Sequence, residues 1–138
     1  MSVVHRALVR FGDVDPAGIV FYPRYFEMLN SAVEDWFADT TGVDFATLHL
    51  GRKLGVPTVR VECEFLKPCR LGERVEVDLE VDAIGGSSAK LRYAFLVDGE
   101  ARLRGRSVLV CMSLESYRPE PWPDDLRRHI QPAEAARG

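Results

Sequence analysis

Asp13 and Asp15 flank a single valine in the run Asp-Val-Asp-Pro-Ala-Gly, and a segment with helical character begins shortly afterwards at Pro23. A carboxylate held in a turn can act as a nucleophile or as a general base. The first turn of a helix presents unpaired N–H groups and a partial positive charge, which polarise a carbonyl placed against them. The two features together set a base or nucleophile against a site that polarises an electrophile. On composition alone either aspartate is an ordinary turn residue, since Asp-Pro and Ala-Gly are common in loops. The pair is singled out by its flanks. Gly12, Pro16 and Gly18 fix a tight path, and Ile19-Val20-Phe21-Tyr22 is an apolar run able to line a pocket that desolvates a carboxylate.

Other chemistries find less support. Gly-x-Ser-x-Gly is absent and Ser87-Ser88 falls in a turn-forming stretch. His5, His49 and His129 stand in unrelated contexts without metal-ligand spacing, so neither a metal nor a cofactor is expected. The 138 residues, 46% hydrophobic and 28% charged, fit one domain over residues 1–138, with a peripheral tail from about residue 119. A net charge of −3 with scattered Arg and Lys excludes a general nucleic-acid or anionic-membrane footprint. No stretch approaches the length of a membrane span and no signal peptide is recognisable. Cys63, Cys69 and Cys111 form no Cys-x-x-Cys pair, which fits reduced thiols in the cytoplasm, Cys63 and Cys111 being small buried hydrophobes.

The elements that must carry the aspartates follow from periodicity. Val3 to Arg10 is β-branched and forms a first strand, so the turn follows a strand. From Pro23, which suits a first helical turn, the period becomes 3.6. Phe26, Leu29, Val33, Trp36 and Phe37 share one face, with Arg24, Glu27, Ser31 and Asp35 opposite, until Gly42 ends the helix. Phe45 to Leu50 forms a short helix. Thr58 to Leu66 alternates, with Val59, Val61, Cys63 and Phe65 expected on a buried face. Glu73 to Ile84 alternates more cleanly, Gly85 to Ser88 breaks it, and Ala89 to Val97 follows. Asp98-Gly99 makes a hairpin, Glu100 to Leu114 forms a long last strand, and a weak helix lies around Asp124 to Ile130. This order predicts an α+β domain whose antiparallel sheet curls around one central helix.

The run Phe11-Gly12-Asp13-Val14-Asp15-Pro16-Ala17-Gly18-Ile19-Val20-Phe21-Tyr22-Pro23-Arg24-Tyr25 closely resembles the signature of the 4-hydroxybenzoyl-CoA thioesterase family of hotdog-fold enzymes, and the order of elements agrees through Leu114. The resemblance implies hydrolysis of an acyl-CoA thioester in a homodimer or homotetramer with sites between subunits. By position it makes Asp15 the catalytic carboxylate, as nucleophile or as base for water. It makes the backbone N–H of Tyr22 the donor to the thioester carbonyl. Asp13 and Gly18 support the turn, Asp13 by orienting it or through like-charge proximity, and Phe21, Tyr25 and Asn30 shape the acyl pocket.

Two departures bear on the substrate. Asn30 stands where relatives acting on aromatic acyl groups carry an acidic residue, and Gly85-Gly86-Ser87-Ser88 replaces a basic cluster that holds the CoA phosphates. Lys67, Arg70, Lys90, Arg92 and Arg118 are the candidate substitutes, and the glycines and serines offer backbone amides. An aryl-CoA, of the benzoyl or hydroxybenzoyl type, leads. The alternatives are short- or medium-chain acyl-CoA or protein-carried acyl groups, and a non-catalytic acyl-CoA-binding module. A helix-borne glutamate, Glu27 or Glu34, is the runner-up mechanism, although both read as solvated.

Overall fold

The computed structural model describes residues 2–132. Strand β1 (Ser2–Leu8) leads through a single 3-10 turn into helix α1 (Pro23–Thr41). A short π-helical turn at Thr47–Gly51 and strand β2 (Leu54–Gly55) follow, then β3 (Thr58–Phe65), β4 (Arg74–Ile84), β5 (Ser88–Val97), β6 (Glu100–Val110), β7 (Met112–Ser113) and α2 (Asp124–Arg127). Five strands form one antiparallel sheet in the order β1-β4-β5-β6-β3, while β2 and β7 pair separately. The last strand expected from the sequence is thus two, divided at Cys111.

Helix α1 has Pro23 in its first turn and ends at Gly42, whose φ of 77° is left-handed. That conformation is one glycine adopts without penalty. Its buried face is Tyr25, Met28, Leu29, Ala32, Val33, Trp36 and Phe37. Phe26, expected there, is only half-buried because Tyr25 takes the core position one residue earlier. The helix packs on β1 and β4, and His5 Nδ1 meets Asp35 Oδ2 at 2.7 Å across that contact.

The alternation of β4 puts Val75, Val77, Leu79 and Val81 inward, and β5 adds Ala89, Leu91, Tyr93, Phe95 and Val97. Each large apolar side chain buried there contributes roughly 1.5–3 kcal/mol relative to exposure. Strand β3 behaves differently. It lies at the sheet edge opposite β1, and Val59, Val61 and Phe65 are 59%, 44% and 52% exposed. The buried face expected for it is bare, and Cys63 is only half-buried; alternation marks the face of a strand but not whether this chain covers it.

The stretch after Pro119 also departs from expectation, because it is not peripheral. Trp122, Leu126 and Ile130 are fully packed into the core. The Trp122 amide donates to Gly86 O at 3.0 Å, its indole N–H to Ser88 O at 3.0 Å, and Arg127 Nη1 to Gly85 O at 2.8 Å, so the tail pins the β4–β5 turn. Among the described residues no helix is long and apolar enough to cross a membrane.

Candidate active site

The turn that opens the site is built from hydrogen bonds local to its own sequence. Asp13 Oδ2 accepts the Arg10 amide at 2.8 Å, and the Asp13 carbonyl accepts the Phe21 amide at 2.9 Å. Asp13 therefore fastens the two ends of the loop to each other. Within the loop the Asp15 amide donates to Ile19 O and the Gly18 amide to Asp15 O, both at 2.9 Å. This closure requires a left-handed residue at Gly18, whose φ is 79°. Asp15 Oδ1 accepts the Ala17 amide at 2.8 Å, and Oδ2 accepts no hydrogen bond among the described residues. One oxygen thus fixes the carboxylate and the other is left available.

At the helix start the Arg24 amide donates to Phe21 O at 2.9 Å and the Tyr25 amide to Tyr22 O at 3.2 Å, while Pro23 has no N–H. The Tyr22 amide has no partner among the described residues. It is the free donor at the end of the helix where the macrodipole is positive. The Phe21 and Tyr22 side chains are exposed, their rings edge to face at 5.5 Å.

Beside Tyr22 runs a groove of about 320 Å³, lined by Ile19, Val20, Tyr22 and Tyr25 on one side and by Phe65, Leu66, Lys67 and Pro68 on the other. It is predominantly apolar. A larger hollow of about 670 Å³ lies over β3, β5 and β6, away from both aspartates. Its charged rim is paired, as in Arg104 with Glu64 at 3.1 Å.

Tyr25 borders the groove, yet it is only 3% exposed and its phenolic oxygen accepts the Cys69 amide at 2.9 Å. Burial pushes its hydroxyl well above the ordinary phenol range. Its polar end is committed to the fold. Phe21 and Asn30 do not line the groove; Asn30 is exposed on α1 and its side chain makes no hydrogen bond among the described residues. Of the five candidate cations only Lys67 lines the groove, where its Nζ lies 3.2 Å from Glu100 Oε2. Glu27 is exposed and paired with Arg24 at 2.6 Å, and Glu34 is exposed.

The second wall of the groove lies outside the residues expected of the site: Phe65 alternates like a core residue of a strand, and the Lys67-Pro68 dipeptide, where the chain leaves the sheet, is its mark in the sequence. This wall is joined to the aspartate turn: the Val20 amide donates to Cys69 O at 2.9 Å, and the Leu71 amide to Gly18 O at 3.1 Å.

Known proteins resemble this chain in sequence and in fold. The chain is 28% identical over 130 residues to a 1,4-dihydroxy-2-naphthoyl-CoA hydrolase from Thermosynechococcus vestitus, covering 94% of this chain and 88% of that protein. A solved gentisyl-coenzyme A thioesterase superposes with a TM-score of 0.81 at 27% identity, over 89% of this chain and 98% of its own. A 1,4-dihydroxy-2-naphthoyl-CoA thioesterase from Synechocystis superposes at 0.82 with 20% identity, over 93% and 94%, a likeness of fold. The model of the thioesterase-like superfamily matches residues 9–130, from the end of β1 through the aspartate turn to Ile130 in the tail, and the chain belongs to that superfamily.

Proposed function

We propose that the protein is an acyl-CoA thioesterase that hydrolyses an aryl-CoA to the free acid and CoA. The observation that carries this reading is the unpaired amide of Tyr22, a residue that lines an apolar groove, following a turn that fixes Asp15 with one oxygen free, although Asp15 itself is not among the lining residues. The thioester carbonyl sits against the Tyr22 N–H, and the negative charge that develops on its oxygen is stabilised by that donor and the helix dipole. Asp15 then attacks the carbonyl carbon and expels the CoA thiolate, leaving an anhydride for water to open, or it removes a proton from the water that attacks. Aryl substrates are favoured by the named activities of the relatives, both of which act on hydroxylated aromatic acyl groups. Lys67 at the groove is the candidate contact for the CoA phosphates.

A second copy of the chain completes the site. Phe65 of β3 lines the groove and Val59 and Val61 extend the exposed apolar row along the same strand, and a homodimer or homotetramer buries them and encloses the acyl group, with Phe21 and Asn30 as contacts. Three free thiols fit a cytoplasmic setting. The experiment is thiol release from benzoyl, hydroxybenzoyl, dihydroxynaphthoyl and straight-chain CoA esters with wild type and Asp15→Asn. Aryl preference and near-complete loss in the variant are expected; wild-type turnover by Asp15→Asn would falsify the role of Asp15.

A further inference from the structure

Arg102 on β6 is the hub of a polar cluster that the chemistry above leaves unused. Its side chain is mostly buried. The guanidinium forks onto Glu73, with Nη1 to Oε1 at 2.9 Å and Nη2 to Oε2 at 2.8 Å. Nη1 also donates to Pro68 O at 2.9 Å, and Nε to Glu100 Oε1 at 2.8 Å. The Arg102 carbonyl accepts the Leu66 and Lys67 amides at 2.9 and 3.0 Å, and Glu73 Oε1 accepts the Arg70 amide at 2.6 Å.

Every peptide held this way belongs to the segment that forms the far wall of the groove and then supports the aspartate turn. Leu66, Lys67 and Pro68 line the groove. Cys69 and Leu71 bond to Val20 and Gly18, and Ile19 bridges Arg70. The Tyr25 hydroxyl, one turn into α1, receives the Cys69 amide. The fork thus sets where the Asp15 loop stands relative to both the groove wall and the helix start, without touching the groove itself. A planar guanidinium that satisfies a carboxylate on two atoms and a carbonyl on a third fixes direction as well as distance, which an ammonium does not.

We infer that Arg102, with Glu73, is a positioning residue for thioester cleavage, holding the segment 66–71 so that Asp15 meets a carbonyl bound at Tyr22. The inference rests on the reading of Asp15 and Tyr22 given above. Misplacing a reacting group by about 1 Å costs on the order of 10²-fold in rate. The effect therefore falls on kcat.

The test measures kcat, KM and thermal midpoint for full-length wild type, Asp15→Asn, Arg102→Gln, Arg102→Lys, Arg102→Ala and Glu73→Gln. Arg102→Gln and Arg102→Lys are expected to lose at least about tenfold in kcat with KM within about threefold, at temperatures where both remain folded. Millimolar guanidinium is expected to restore kcat to Arg102→Ala where equal sodium chloride does not. Unchanged kcat in the folded Arg102 variants, or a loss that follows the thermal midpoint alone, overturns the inference. If the Arg102 variants do not fold, Glu73→Gln decides, with a lowered kcat supporting the inference and a wild-type kcat ending it. Wild-type turnover by Asp15→Asn sinks the underlying mechanism, whereas an inactive Asp15→Asn beside an unaffected Arg102→Gln sinks only the role of Arg102.

Discussion

The hydroxyl of Tyr93 donates to the carbonyl oxygen of Glu62 at 2.6 Å, tying the middle strand of the sheet to its open edge. The bond passes over β6 at Gly105, which is paired with Tyr93 on one side and Cys63 on the other. A Cβ at position 105 would overlap the Glu62 carbonyl oxygen and stand 2.6 Å from the Tyr93 hydroxyl. Gly105→Ala therefore pushes β3 off β6. Overpacking of this kind costs about 1–3 kcal/mol. A lowered thermal midpoint is expected, together with a smaller particle in sedimentation if β3 joins two copies. Tyr93→Phe removes only the hydrogen bond and is expected to cost about 1 kcal/mol in denaturant melts.

Tyr22 has a φ of −52°, within the range that proline imposes. Tyr22→Pro thus deletes the N–H with little demand on its own backbone angle, and Tyr22→Phe keeps it. The proline variant is expected to lose about 10²–10³-fold in kcat, as for removal of one oxyanion donor, with the phenylalanine variant near wild type. Equal loss in both would place the function of position 22 in its ring.

Asp78 on β4 has one carboxylate oxygen buried without a hydrogen bond among the described residues. Burial pushes its carboxyl above the usual range, and Glu76 and Glu80 add to the effect. Asp78→Asn is expected to stabilise the fold by about 1 kcal/mol at neutral pH. As pH falls, the folded wild type takes up its proton before the unfolded chain does, so wild type gains on the variant and the gap narrows. Chemical melts at pH 7 and pH 4.5 measure this, and a gap that widens in acid contradicts it.

Burial pushes the Cys111 thiol up to about 11, from a reference value of 9.0. The folded state holds this proton more tightly than the unfolded chain, so its stabilising effect is complete below about pH 9 and is lost as pH rises to about 11. Thermal midpoints of wild type are expected to fall across that window more steeply than those of Cys111→Ala. Parallel curves would remove Cys111 as a cause.

What could be read from the residues divides along a physical line. Helix α1 and strand β4 are legible because each buries its own apolar period against this chain, and Gly42 and Gly85 end them as their chemistry requires. The aspartate turn is legible for the same reason, since its bonds run between near neighbours in sequence. Val59, Val61 and Phe65 mislead because alternation is also what an uncovered strand carries. The docking of the tail is not legible because the partners of Trp122 and Arg127, Gly85, Gly86 and Ser88, lie far back along the chain. The supporting segment at Cys69 was invisible, being attached to the turn through peptide groups that leave no mark on residue type.

The free amide at Tyr22 has an evolutionary corollary. Every residue except proline carries that group, so selection for a donor there constrains the backbone while leaving the side chain open to drift. Under the proposed mechanism, what presses against the acyl group at position 22 can therefore be retuned with smaller or larger residues without dismantling the donor.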